Sequence, residues 1–138
     1  MIKKGIAGAL VVLLCGCGSL IALYDPYAYK QAISIKVDAL DLMSSATEEA
    51  SVHAGEIKTV DLEIKKMIEY EKQRPKDTVT LLMWQKLNDP EKNLYGGFIR
   101  RWKMKGKLDT AFVKNQLFIV ESAVNDILEL ESKKIRPE

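Results

Sequence analysis

The stretch DTAFVKNQLFIVESAVNDILELESKK, residues 109–134, decides the fold class. Its apolar residues recur at steps of four and three, which is the spacing of one helix face. A second apolar stripe lies beside the first, so the apolar arc covers nearly half of the helix circumference. We therefore expect a helix from about Thr110 to Lys134, capped by Asp109 and packed against two neighbours. The first stripe consists of Val113, Leu117, Val120, Val124 and Ile127, and the second of Phe112, Ile119, Ala123 and Leu130.

Two further long helices are predicted upstream. Asp25-Pro26 marks the start of the first, because Asp is a favoured N-cap and Pro a favoured first residue. This helix is expected to reach about Ala50, and the next to end near Arg74, before Pro75. Their predicted apolar faces are Tyr29, Ile33, Val37, Leu40 and Met43 in the first helix, and Ile57, Val60, Ile64, Met67 and Ile68 in the second.

Shorter helices are predicted between residues 77 and 107. Asp77 or Thr78 is expected to cap one, and Asp89-Pro90-Glu91 to restart the chain as Asp25-Pro26 does. Gly96-Gly97 indicates a break or hinge, since glycine weakens a helix, and Gly106 a helix end. The predicted apolar faces are Val79, Leu82, Met83 and Leu87, then Tyr95, Phe98, Ile99 and Trp102. The prediction is an all-α bundle of three long helices with a short helical insertion between the second and third.

Composition excludes several classes of function. The chain has 138 residues, with 21 Lys and Arg against 19 Asp and Glu, and 47% of its residues are apolar. This is a globular composition of one domain, and a near-neutral charge disfavours a nucleic-acid binder. Two cysteines and one histidine leave little material for metal or nucleophile chemistry. We therefore expect no cofactor and no metal.

The first sixteen residues have the layout of a secretory signal. Lys3 and Lys4 precede ten uncharged residues, a run too short for a transmembrane helix. Leu14-Cys15-Gly16-Cys17 resembles the lipobox of bacterial lipoproteins. The resemblance implies cleavage before Cys17, a diacylglyceryl thioether on its sulfur and an acyl chain such as palmitate on its amine. Cys15 would leave with the signal, so no free thiol would remain.

The predicted lipoprotein has three parts. Residues 1–16 are the signal peptide, 17–24 the lipidated N-terminus with a short tether, and 25–135 one helical domain. Residues 20–24 are largely apolar rather than a flexible linker, so they either touch lipid headgroups or begin the core. Gly18 follows the lipidated cysteine, and by the enterobacterial sorting rule this favours the outer membrane, with the domain facing the periplasm.

Catalytic residues are not evident from the sequence. His53 is the only histidine, and it is expected to be a solvated loop residue near Glu48, Glu49 and Glu56. The main enzyme alternative is a cell-wall hydrolase that uses a glutamate acid, Glu69 or Glu71. A small-ligand or lipid carrier is a third alternative and would need an apolar cavity.

A basic run with an aromatic residue inside it, residues 100–107, is the one local departure from neutrality. It could contact anionic lipid, an anionic glycan or an acidic protein partner. The alternative is a solvated basic face whose Trp102 fills the core. Phe118 is predicted to project from the polar side of the last helix, where an exposed Phe would mark a contact site, but we expect residues 90–107 to cover it. The candidate binding surface comprises Tyr95, Phe98, Arg100, Arg101, Trp102, Lys103, Lys105 and Phe118.

Four segments resemble a family of small helical bacterial lipoproteins without an assigned activity. They are residues 24–27, 70–76, 83–84 and 93–98, and the resemblance spans most of residues 20–135. It implies a single lipid-anchored helical domain and no catalytic residue. The sequence therefore predicts a non-enzymatic accessory or interaction component of the bacterial cell envelope.

Overall fold

A computed structural model describes residues 22–74, 76–134 and 136. The described part of the chain is helical, which confirms the all-α prediction. Its α-helices are α1 (Pro26–Ser44), α2 (Ala54–Lys72), α3 (Thr78–Asn88), α4 (Tyr95–Lys105) and α5 (Thr110–Ser132), with a 3₁₀ helix (Ala50–His53) before α2. The predicted signal peptide and Cys17 lie outside the described residues. No described helix is both long enough and apolar enough to cross a membrane.

Three predicted helix ends are confirmed. Asp25 accepts hydrogen bonds from the first backbone N–H groups of α1, and Pro26 occupies the first helical position. Asp109 caps α5 in the same way. Gly106 ends α4 with a φ of 80°, in the left-handed region that favours glycine.

Other local predictions are wrong. Asp77 is the N-cap residue of α3, so its position is predicted correctly, but its side chain makes no capping hydrogen bond and accepts from Lys134 instead. Pro90 starts no helix, because residues 90–94 form turns. Gly96-Gly97 is not a break, since both glycines lie in the first turn of α4.

The buried face of α1 also differs from the prediction. Ile33 and Val37 are exposed, Val37 by 60%. Three of the six buried residues of α1 are alanines, and such small side chains let the backbone of α1 approach its neighbours α2 and α5 closely. The buried face comprises Ala28, Ala32, Ile35, Ala39, Leu42 and Met43. In α2 the predicted face is confirmed for Ile57, Val60, Ile64 and Met67, whereas in α3 Val79 and Leu82 are exposed.

We distinguish two ends of the helical domain. The near end is the one at which the chain enters α1, and the far end is the one at which α1 and α4 end. At the near end, the segment before α1 meets the C-termini of α2 and α5, where Arg74 bonds the Leu23 carbonyl and Glu131. At the far end, the backbone N–H of Leu108 donates to Ala46 O and that of Ala50 to Gly106 O, both at 2.8 Å. The loops after α1 and α4 are thereby joined.

Candidate functional site

The outward side of α4 is basic. Tyr95, Phe98, Ile99 and Trp102 turn inward, so the residues between them in the sequence point outward. We call this outward side the α4 surface. It comprises Arg100, Arg101, Lys103, Met104 and Lys105, all of them exposed.

Several open grooves border the α4 surface, and two of them share Arg100 and Met104. The first, of about 580 Å³, lies between α4, the 90–94 turns and Phe112. Its charged lining consists of Lys92, Arg100, Arg101 and Lys105 against the single acid Glu91. The second, of about 520 Å³, separates α4 from α2 and shares Arg100 and Met104 with the first. Met104 is 73% exposed, so an apolar side chain stands between two grooves with basic walls.

Some of these cations are held in place and others are not. Arg100 pairs with Glu91 at 2.5 Å, and the Arg101 guanidinium stacks 4.3 Å from the centre of the Phe112 ring. Among the described residues no carboxylate pairs with Lys103 or Lys105. The α4 surface therefore carries positive charge that is not neutralised internally.

The predicted binding residues divide into two groups. Tyr95, Phe98 and Trp102 are core residues, and the Trp102 indole N–H donates to Glu48 O at 2.9 Å. Trp102 therefore fills the core, as the alternative interpretation of the basic run predicts. Phe118 is 72% exposed on α5, so the expected cover by residues 90–107 is wrong, and it lines neither groove. The binding role stays a prediction for Arg100, Arg101, Lys103, Lys105 and Phe118.

His53 is not the solvated loop residue that the sequence predicts. Its Nε2 lies 2.6 Å from Glu48 and its Nδ1 3.0 Å from Glu56, and its ring packs 5.5 Å from that of Trp102. Because both carboxylates are acceptors, both ring nitrogens must donate, and only imidazolium does so. The hydrogen bonds from Glu48 and then Glu56 raise the pKa of His53 above 6.5. His53 therefore joins the 3₁₀ helix to α4, and its two carboxylate partners favour the charged imidazolium over the neutral ring.

We expect the stabilising effect of His53 to be pH-dependent. Because its folded pKa is raised, its contribution is complete below pH 6.5, the value of an ordinary histidine, and is lost as pH rises through the folded pKa. The stability difference between the wild type and His53→Gln should shrink as pH rises through that range. Nitrogen NMR of the imidazole should show both nitrogens protonated at pH 6.5. A midpoint at or below 6.5 would contradict this arrangement.

The largest feature that sequence reasoning missed is a buried charged cluster at the near end. It comprises Glu71, Arg74, Asp77, Glu131 and Lys134. Arg74 lies 3.0 Å from Glu71, 2.8 Å from Asp77 and 3.3 Å from Glu131. Lys134 lies 2.7 Å from Asp77 and 2.5 Å from Glu131, and also donates to Thr80. The cluster thereby ties α2, α3 and α5 together.

A signal for the charged cluster is present in the sequence. Glu71 continues the buried stripe of α2, four residues after Met67, and Glu131 continues that of α5, four residues after Ile127. A glutamate that falls on an apolar stripe needs a buried cation. The partner could not be assigned, because nothing local shows that the ends of α2 and α5 meet.

Protonation lowers the negative charge of the cluster. Burial, together with a hydrogen bond to Asp77, raises the pKa of Glu71 to about 8. Burial acts in the same direction on Asp77, but hydrogen bonds from Glu71, Lys134 and Thr80 outweigh it and lower the pKa of Asp77. Of these two carboxyl groups Glu71 is therefore the one that binds a proton more readily, and the protonated group can donate to the Asp77 carboxylate.

The cluster's three acids could supply metal ligands by distance alone, since one oxygen from each lies within 4.8 Å of the others. The same oxygens already contact Arg74 and Lys134. A cation would have to displace one of these side chains, so the arrangement fits a salt-bridge network better than a metal centre.

The two glutamates of the hydrolase alternative lie in different surroundings. Glu69 is exposed and pairs with Lys72 at 2.6 Å. Glu71 has the raised pKa that a catalytic acid needs, but it is only 1% exposed and lines neither groove beside α4. A substrate could reach Glu71 only if the charged cluster opened.

Comparisons of the chain with models of protein families, with curated proteins and with solved structures find no match.

Proposed function

We propose that the protein is a lipid-anchored, non-enzymatic interaction domain of the bacterial cell envelope. The lipid on Cys17 holds it at a membrane, on the outer membrane's periplasmic side by the sorting rule, and the α4 surface binds an acidic partner protein. One observation carries the binding role. The α4 surface presents unneutralised cations beside an exposed methionine and two grooves, on a chain whose overall charge is only +2.

The lipobox supports the location. One acyl chain binds a membrane only marginally, whereas the several chains of a lipoprotein anchor stably. We retain the bundle of α1, α2 and α5 as the working arrangement, with α3 and α4 as the insertion. It is supported by the packing of α1 against both α2 and α5.

The function predicts the effect of reversing charge on the α4 surface. Replacing Arg100, Arg101 and Lys103 together with Glu should weaken partner binding about 10- to 100-fold, since three exposed ion pairs contribute roughly 1–3 kcal/mol in total. Binding is measured by quantitative crosslinking and recovery of the tagged protein from native envelopes. Circular dichroism should show unchanged helicity, because all three side chains are exposed.

A matched control changes the same amount of charge elsewhere. Lys30, Lys66 and Lys114 are exposed and line neither groove, so their joint replacement with Glu should leave recovery within about twofold. Cys17→Ala removes the anchor and tests the location separately. Equal recovery with both triple variants would show that the α4 surface does not bind the partner.

A further inference from the structure

The chain that leads to Cys17 enters the domain rigidly at the near end. The Leu23 carbonyl accepts from Arg74 at 2.8 Å. The backbone N–H of Asp25 donates to Glu131 at 3.2 Å, and Asp25 also accepts from the Tyr70 hydroxyl. Because Arg74 and Glu131 belong to the charged cluster, the entering segment is fixed to the ends of α2, α3 and α5. Its direction relative to the helices is therefore set by the fold.

The near end exposes apolar and aromatic side chains together with cations and two acids, Glu69 and Glu129. Leu23, Tyr27 and Val79 are exposed by 57%, 52% and 62%. The segments that end here also carry exposed cations, namely Lys72, Lys76, Lys133 and Arg136, and the Arg136 guanidinium stacks 4.7 Å from the centre of the Tyr24 ring. Lys72 and Lys133 pair with Glu69 and Glu129. Tyrosine and leucine with flanking Lys and Arg are the residues that favour the interface of a bilayer with water.

The α4 surface lies toward the opposite end. Lys103 lines the second groove with Asp61 of α2, and α2 continues from Asp61 to Lys72 before it reaches the near end. At 1.5 Å per residue this separation is about 17 Å. The five residues from Cys17 to Ala22 span at most about 18 Å. A lipid on Cys17 therefore lies within about 18 Å of the near end, whereas the α4 surface lies about 17 Å further along α2.

We infer that the near end rests on the headgroups of an anionic bilayer and that the α4 surface projects away from it. Leu23, Tyr27 and Val79 contact the interface, and the surrounding cations contact phosphate groups of the lipid. The charged cluster fixes this orientation. The inference rests on the proposed anchoring at Cys17, and it makes the partner of the α4 surface a component outside the anchoring bilayer.

Fluorophore depth measurements on the lipidated protein test this orientation. The processed chain would have no free thiol, so Val79→Cys or Met104→Cys gives a single labelling position on the near end or the α4 surface. The labelled protein is reconstituted into vesicles of phosphatidylethanolamine and phosphatidylglycerol that contain headgroup-quenching lipid. We expect at least twofold stronger quenching at position 79 than at position 104, because quenching requires contact with the lipid surface.

The outcomes separate anchoring from orientation. Failure of the protein to float with the vesicles would refute both the anchoring and the inference. Flotation with equal quenching at the two positions, or with stronger quenching at 104, would refute the inference alone. Self-quenching at position 79 without lipid quenching would show that a second copy covers the near end, and it would also refute the inference.

Discussion

Arg74→Ala is expected to lower the free energy of unfolding by about 3–5 kcal/mol, the usual cost of removing one partner from a buried ion pair. Arg74 lies among Glu71, Asp77 and Glu131 and also bonds the Leu23 carbonyl. Without the guanidinium, Lys134 would be the one cation of the charged cluster left beside its three acids. Because a domain is stabilised by only about 5–15 kcal/mol in all, the loss should be plain in urea denaturation followed by circular dichroism.

Three companion variants identify the cause. Lys66 is exposed and pairs with Glu63, so Lys66→Ala should change stability by about 0.5 kcal/mol or less. Arg74→Lys should lower the free energy of unfolding by an amount between the losses of Arg74→Ala and Lys66→Ala, since one ammonium cannot replace the planar fork of guanidinium donors. Glu71→Gln should cost less than about 1 kcal/mol, because its amide N–H can replace the protonated carboxyl as the donor to Asp77. An Arg74→Ala loss as small as that of Lys66→Ala would mean that the cluster does not hold the near end together.

Gly97→Ala is expected to destabilise the protein by about 3 kcal/mol, at the upper end of typical overpacking costs. A Cβ on Gly97 would lie 1.9 Å from the Lys92 carbonyl oxygen. The obstacle is backbone, which cannot rotate away as a flexible side chain could. The 90–94 turns would have to move off α4, and Gly97 also lines the first groove. We therefore expect weaker partner binding as well as a lower unfolding midpoint.

Gly55→Ala is the matched control for this prediction. Gly55 lies in the first turn of α2, and a Cβ there would meet nothing within 4 Å. Because alanine favours helix over glycine, Gly55→Ala should leave stability unchanged or raise it by up to about 1 kcal/mol. If Gly97→Ala behaved like Gly55→Ala, the 90–94 turns would not be packed against α4 as the structure has them.

Sequence patterns predicted the elements better than the contacts between them. The caps at Asp25 and Asp109 and most of the first apolar stripe of α5 are local signals, and the structure confirms them. The second stripe of α5 is only half-buried. The face of α1 was misjudged because large apolar residues were favoured over alanines. Ile33 is exposed while Ala32 is buried, and the buried face combines three alanines with Ile35, Leu42 and Met43.

The site residues were predicted only in part, because the sequence patterns show local positions and not the tertiary contacts between helices. The exposure of Arg100 and Lys103 follows from the apolar positions of α4, which is a local pattern. The bonds from His53 to Glu48 and Glu56 also join residues close in sequence, yet the sequence left His53 in solvent because its packing on Trp102 depends on tertiary contact. The charged cluster joins Arg74 to Glu131, and no local pattern links them.

Photocrosslinking from the α4 surface tests the proposed function most directly. A crosslinking amino acid at Met104 stands between the two grooves, and one at Val37 is similarly exposed on α1. In native envelopes of cells that make the lipidated protein, we predict one discrete protein adduct from position 104. It should be absent from position 37 and lost when Arg100, Arg101 and Lys103 are replaced with Glu. The same adducts from both positions, or an adduct that survives the charge reversal, would contradict the proposed function.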